Sequence, residues 1–307
     1  MTLDMIISAL VTIIGISTPI LLAATGELVV EKSGVLNLGV EGMMLIGAVT
    51  GFAVTFTTFN PWLGMLAAAI AGAAASLVFG VLVLTFGSNQ VATGLALAIF
   101  GIGLSTLIGA GFVGIIVPPF SSIFPYALAH HPIGRLIFGH SPLVYFALIM
   151  VFIVSWFLKR TRAGLVLRAV GENDLSAHSI GYSVIGIRYA AIAFGGAMSG
   201  IAGSYFSMVI TPMWAEQMTA GRGWIALALV VFAGWKPGRL LTGAYFFGIL
   251  MTLELYAKAS GFSFLPSQFW ASMPYLMAVF VLAVISARER TGSEAPACLG
   301  KPFMPSD

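Results

Sequence analysis

Apolar runs of about twenty residues, long enough to cross ~30 Å of hydrocarbon as helices, recur along this chain. They cover roughly 5–24, a stretch that begins within 26–44 and continues to 56, then 62–86, 91–111, 143–158, 190–210, 240–257 and 269–287. The polar interruptions between them are short. In lipid, such a chain satisfies its backbone only as helices or as a closed barrel. A barrel would show segments of about ten residues with alternating polarity, and these runs do not alternate. The fold class is therefore all-α, a polytopic transmembrane helical bundle. Its 307 residues accommodate about 8–10 spans, which excludes a soluble catalytic domain. Residues 1–290 read as the transmembrane domain and 291–307 as a polar tail. The N-terminus resembles a signal peptide, but Asp4 is its only early charge and no basic segment precedes the apolar run, so it reads as an uncleaved first helix.

Charged residues make up only 8% of the chain, against about 25% in soluble domains, so the position of each one is informative. The densest cationic cluster is Lys159, Arg160, Arg162 and Arg168. Short basic loops beside spanning helices stay in the cytosol, which places 159–189 there, together with Arg288, Arg290 and the tail. Residues 112–142 hold five prolines and a single cation, Arg135, and read as an outer loop with room for a short surface helix. Nine full spans would place the N-terminus outside; a re-entrant segment at 26–42 would move it inside. Within 159–189, Gly171 and Asn173 mark a turn, Asp174 or Ser176 suits the start of a short helix reaching Ser179, and Gly181 suits its end. Such a segment is either a surface that a partner grips or a basic stop-transfer loop.

Two segments are too polar or too short to span. They are 26–42 and 224–233, and each suggests a broken helix. Interrupted helices in corresponding halves of a chain point to a transport pathway. The conspicuous polar residues inside apolar sequence are Glu27, Glu31, Asn37, Glu41, Asn89, Gln90 and Glu254. Asn37 and Glu41 are spaced to share one face of a helix. Asn37, Glu41, Asn89 and Gln90 are the candidates to line or brace a path, or else to cap a broken helix and satisfy its free backbone groups. Gly196 and Gly200 form a close-packing GxxxG pair. No nucleotide-binding loop, zinc-protease motif or nucleophile elbow is present. His130, His131 and His140 have no carboxylate or cysteine nearby, so no metal is implied. Cys298 is the single cysteine and rules out an intrachain disulfide. The net charge of +3 follows from cytosolic loops and does not suggest nucleic acid.

Four stretches, in order, resemble one family: GELVVEKSGVLNLGVEGMMLIGA at 26–48, LRAVGENDLSAHSIGYSV at 167–184, AGRGWIALALVVFAGWKPG at 220–238, and MPYL at 273–276 followed by EAPACLGKPF at 294–303. They are similar to the inner-membrane permease subunits of binding-protein-dependent ABC importers, in the nucleoside and simple-sugar branch related to the ribose and branched-chain amino acid permeases. The resemblance implies a multi-pass protein in the lipid of the bacterial inner membrane, with no cofactor and no covalent chemistry of its own. It implies a homologous second permease subunit, two copies of a cytosolic ABC ATPase, and an extracytoplasmic substrate-binding protein. It implies that 167–184 docks the ATPase, with Arg168, Gly171, Glu172, Asn173 and Gly181 carrying the coupling. Where the family usually has proline, this chain has Asp174. The solute implied is a nucleoside or simple sugar, with purine nucleosides a narrower reading. The rival is a proton-coupled secondary transporter of a small polar solute, with Glu41 or Glu254 as a relay.

Overall fold

The computed structural model describes residues 3–120, 122–125, 128, 131–259, 266–288 and 295–303. The helices are α1 (Leu3–Lys32), α2 (Val40–Thr58), α3 (Pro61–Gly80), α4 (Gln90–Gly109), α5 (Pro132–Phe138) and α6 (Pro142–Arg160), followed by α7 (Arg162–Glu172), α8 (Asp174–Ser179), α9 (Val184–Tyr205), α10 (Arg222–Phe232), α11 (Pro237–Ala259) and α12 (Ser267–Arg288). Single π-helical turns, Val81–Thr85 and Phe206–Ile210, prolong α3 and α9. Among the described residues, seven helices are long and apolar enough to cross a membrane: α1 to α4, α6, α9 and α11. Helix α12 has comparable length at 22 residues. Helix α10, with 11 residues, is about 16 Å long and reaches only halfway through ~30 Å of hydrocarbon.

Helix starts follow local chemistry. The Asn60 side chain accepts from the Trp62 and Leu63 amides, with Pro61 in the first turn. Thr161 caps α7 and Ser183 caps α9 in the same way. Two expectations for the polar segment change. Gly171 lies inside α7 and does not form a turn, and the cap of α8 is Asn173, whose Oδ1 accepts from the Ser176 amide at 2.9 Å. Asp174 occupies the first position of α8, where the short helix tolerates either proline or an acid. Gly181 follows α8 with φ +95°, a conformation that favours glycine.

Helix α2 is the most buried span and sits among α3, α4, α9 and α10. The approach of α9 to α2 and α3 is backbone against backbone. A Cβ on Gly200 would collide with the Ala68 carbonyl, and one on Gly47 would collide with Gly200. The GxxxG pair is thus spent on packing within the chain. The outward faces of α3 and α4 expose Leu66, Ile70, Ile99, Phe100 and Leu107, as a lipid-facing wall does.

The two ends of the bundle differ. At one end, Lys32, Gln90, α7, α8, Arg188 and 295–303 lie together. Toward the other, the Trp214 indole covers Gly109 at the end of α4, and Val117 donates to the Pro212 carbonyl. Residues 112–120 therefore sit opposite the cationic segment, and α5 supplies the short helix expected in that loop. Asp4 neighbours Thr252 and Tyr256 of α11, so α1 begins at the far end from the cationic cluster. Nine full spans are not found: seven helices qualify among the described residues, and α10 has only half the length.

Candidate functional site

The segment expected to be broken is broken later than its polar residues suggest. Helix α1 continues through Glu27 and Glu31 to Lys32, and the break occupies 33–39. Neighbours on α4 mark its path: Leu36 meets Gln90, Leu38 meets Gly94, Gly39 meets Leu97 and Gly42 meets Gly101. From Gln90 to Gly101 a helix rises about 16 Å. The chain between Leu36 and Gly42 is drawn out over that rise, and α2 starts deep in the layer.

The second broken element meets it there. At the α10 N-terminus, Glu41 Oε1 accepts from the Thr219 hydroxyl at 2.5 Å and the Gly221 amide at 2.8 Å, and Oε2 accepts from the Gly223 amide at 2.6 Å. The first amides of a helix lack partners within it and carry partial positive charge. One buried carboxylate from the first turn of α2 thus satisfies two amides at the N-terminal end of α10. Gly223 leaves no room for a side chain, since a Cβ there would lie 2.6 Å from Glu41 Oε2. Beside this junction the Arg222 guanidinium lies 5.0 Å from the Phe206 ring centroid and donates to the Met218 and Thr219 carbonyls at 3.3 and 3.4 Å. The Tyr275 hydroxyl donates to the Ala220 carbonyl at 2.7 Å.

Two further carboxyls hold the same pair of breaks. Glu27 Oε1 accepts from the Asn37 amide at 3.3 Å, while its Oε2 has no hydrogen-bond partner among the described residues. Glu31 Oε2 accepts from the Trp235 indole at 2.5 Å, at the exit of α10. Asn37 does not share a helix face with Glu41, because Asn37 precedes α2. Its Oδ1 accepts from the Gly39 amide at 2.9 Å, a local turn within the break. Asn89 caps α4 by accepting from the Ala92 amide at 3.0 Å. Gln90 accepts from the Leu36 amide at 2.8 Å. The structure therefore gathers Asn37, Glu41 and Gln90 along the first break and leaves Asn89 at the bundle end. Glu254 pairs with Lys258 at 2.7 Å on α11 and also interacts electrostatically with Arg222 and Tyr275 beside the junction.

In the polar segment, Arg168 and Glu172 border an open cleft with Lys32, Leu165, Ala169 and Pro296. Leu165, Leu175, Ile180 and Tyr182 are exposed, an unusual set of apolar side chains for a basic loop. Gly171 presses on the Lys32 carbonyl, with no space for a Cβ. Arg188 is fully buried. It donates from Nε to the Ser33 carbonyl at 3.1 Å and from Nη2 to Asp174 Oδ2 at 3.0 Å. Asp174 thus gives the chain an ion pair that proline could not make. Sequence reasoning missed Arg188, Thr219 and the glycines of 221–223 as contact residues, since their partners lie far away in the chain. The signal for Arg188 was a cation at the start of an apolar run.

Of the histidines considered for a metal site, His130 lies outside the described residues. His140 is buried, with Nε2 3.0 Å from the Leu136 carbonyl. Burial pushes its imidazole below the usual pKa, and the carbonyl bond offsets part of that.

The chain thus combines a broken span, a half-length helix and an amphipathic segment at the cationic end, and comparison with known families places it among transport permeases. Residues 9–285 match the family described as branched-chain amino acid transport system / permease component, and the chain belongs to that family. It is accordingly a multi-pass permease of the inner membrane and not itself an enzyme. Among curated relatives, "Putative glucose ABC transporter permease protein TsgC13" of Haloferax volcanii is 40% identical, over 87% of this chain and 88% of that one. The guanosine ABC transporter permease protein NupQ of Bacillus subtilis is 30% identical, over 94% and 93%. The nucleoside ABC transporter permease protein NupC of Lactococcus lactis is 29% identical, over 87% and 89%.

Proposed function

We propose that this chain forms the translocation path of an ABC importer for nucleosides, purine nucleosides among them, or simple sugars. It works beside a homologous permease subunit, two separate ATPase copies and an extracytoplasmic binding protein. The observation that carries the reading is the meeting of two interrupted helices on Glu41, about halfway through the bundle. Releasing these bonds would free the junction without unravelling a full-length helix. The relatives named for glucose, guanosine and nucleosides handle neutral, hydroxyl-rich solutes, which suit backbone groups at a broken helix. Segment α7–α8 is the ATPase-facing element. Its exposed apolar side chains, together with Arg168, Glu172, Asn173 and the turn at Gly181, suit a groove in a partner.

The test is uptake by proteoliposomes containing the complete transporter. Labelled guanosine should accumulate only with ATP and the ATPase subunits, with glucose as competitor to separate the two solute classes. Arg168→Ala and Glu172→Ala should each weaken ATPase co-purification, by about 2–5 kcal/mol where the contact is buried. Uptake that persists without the ATPase and follows the proton gradient would replace this reading with the proton-coupled rival.

A further inference from the structure

We propose that residues 295–303 are a strap that makes α7–α8 and the break after α1 move as one body. The C-terminal segment is then part of the coupling machinery and not a free tail. The inference rests on the assignment of α7–α8 as the ATPase-facing segment. The Cys298 amide donates to the Gly171 carbonyl at 2.9 Å, and the Cys298 sulfur lies 3.6 Å from the Glu172 carbonyl. These are end-of-helix carbonyls of α7, which have no partner within their own helix. Two residues on, the Gly300 amide donates to the Gly34 carbonyl at 3.2 Å. The Lys301 carbonyl accepts from Gln90 Nε2 at 3.4 Å, and the same Gln90 accepts from the Leu36 amide. Phe303 stands edge-on to His178, with ring centroids 5.5 Å apart, and packs on Val170, Ala177 and Val184. Ala295 and Leu299 pack against the main core.

One short stretch therefore holds α7, α8, the 33–39 break and the start of α4. Turns within it keep it compact, with Leu299 donating to the Pro296 carbonyl and Lys301 to that of Cys298. The Arg188 bridge between Ser33 and Asp174 ties the same elements from the inner side. A displacement of α7–α8 is thus passed to Gly34 and Leu36, and along the drawn-out chain to Glu41. Without the strap, the Arg188 bridge and the contact of Gly171 with Lys32 would still pass part of that displacement to the break, and the part carried through Gly34 and Leu36 would be lost.

The experiment uses the complete transporter in proteoliposomes and reads solute imported per ATP hydrolysed, alongside ATPase co-purification. Phe303→Ala, and N-ethylmaleimide modification of Cys298 in the otherwise native protein, should each leave co-purification and basal hydrolysis intact. Each should lower import per ATP by about tenfold, an ordinary size for a lost coupling between sites. Cys298→Ser should be insensitive to the reagent, which keeps other thiols out of the result. Deletion of 295–307 should show the same loss more strongly. Unchanged import per ATP in both Phe303→Ala and the modified protein would overturn the strap. So would a loss that merely tracks ATPase dissociation, which would make the segment a docking surface. Replacing 172–180 with Gly-Ser separates the two layers. If coupling survives that replacement, the α7–α8 assignment itself fails; if it is lost while the strap variants couple normally, only the strap fails.

Discussion

Replacing Glu41 is the most informative perturbation of the membrane-interior junction. Its carboxylate receives the Thr219 hydroxyl and the Gly221 and Gly223 amides. Glu41→Leu strands all three donors, and each buried unpaired donor costs about 1–3 kcal/mol. The sum, roughly 3–9 kcal/mol before relaxation, is comparable with the whole stability of a typical domain. Helix α10 should therefore come loose or the protein should fail to accumulate. Glu41→Gln keeps one oxygen for Thr219 and Gly221 but turns an amide group toward the Gly223 N–H. It also removes the anion facing the helix terminus, for a total of roughly 2–4 kcal/mol. Thr219→Val removes one donor and keeps the shape, costing about 1 kcal/mol. Thermal unfolding of the purified complex, read with uptake, should rank wild type above Thr219→Val, then Glu41→Gln, then Glu41→Leu. Wild-type stability and uptake in Glu41→Leu would refute the argument. A Glu41→Gln protein with unchanged melting but no proton-linked uptake would point to a proton relay.

Two further substitutions test the frame around the site. Asp174→Ala should destabilise the chain by about 3–5 kcal/mol, because it leaves the buried Arg188 guanidinium without its counter-charge; Arg188→Met should cost less, and equal melting of wild type and Asp174→Ala would argue against the pair. Gly200→Ala should lower the melting temperature and the yield of folded protein, since its methyl group meets the Ala68 carbonyl and overpacking costs about 1–3 kcal/mol; a fully stable Gly200→Ala would mean that α3 and α9 can separate without penalty.

The apolar runs by themselves determined that this chain is a helical membrane bundle. Run length fixes the span, backbone polarity leaves only helices or a closed barrel in lipid, and the lack of alternation excludes the barrel. The same reasoning located both interrupted segments, because charge and short length are local properties. The family was legible in four blocks of residues for the same reason. Tertiary structure alone decided what the polar residues do. Asn37 and Glu41 look like neighbours on a helix, yet the helix starts between them, and Glu41 finds its partners at Thr219, Gly221 and Gly223. Glu27 and Glu31 look like the end of a span, yet α1 runs on through them because Asn37 and Trp235 supply donors inside the bundle. The tail reads as loose polar sequence, but its amides meet carbonyls at Gly171 and Gly34. A side chain's partner in a buried site is set by where the helices cross, and crossing depends on backbone approaches such as Gly47 against Gly200, which link residues far apart in the chain.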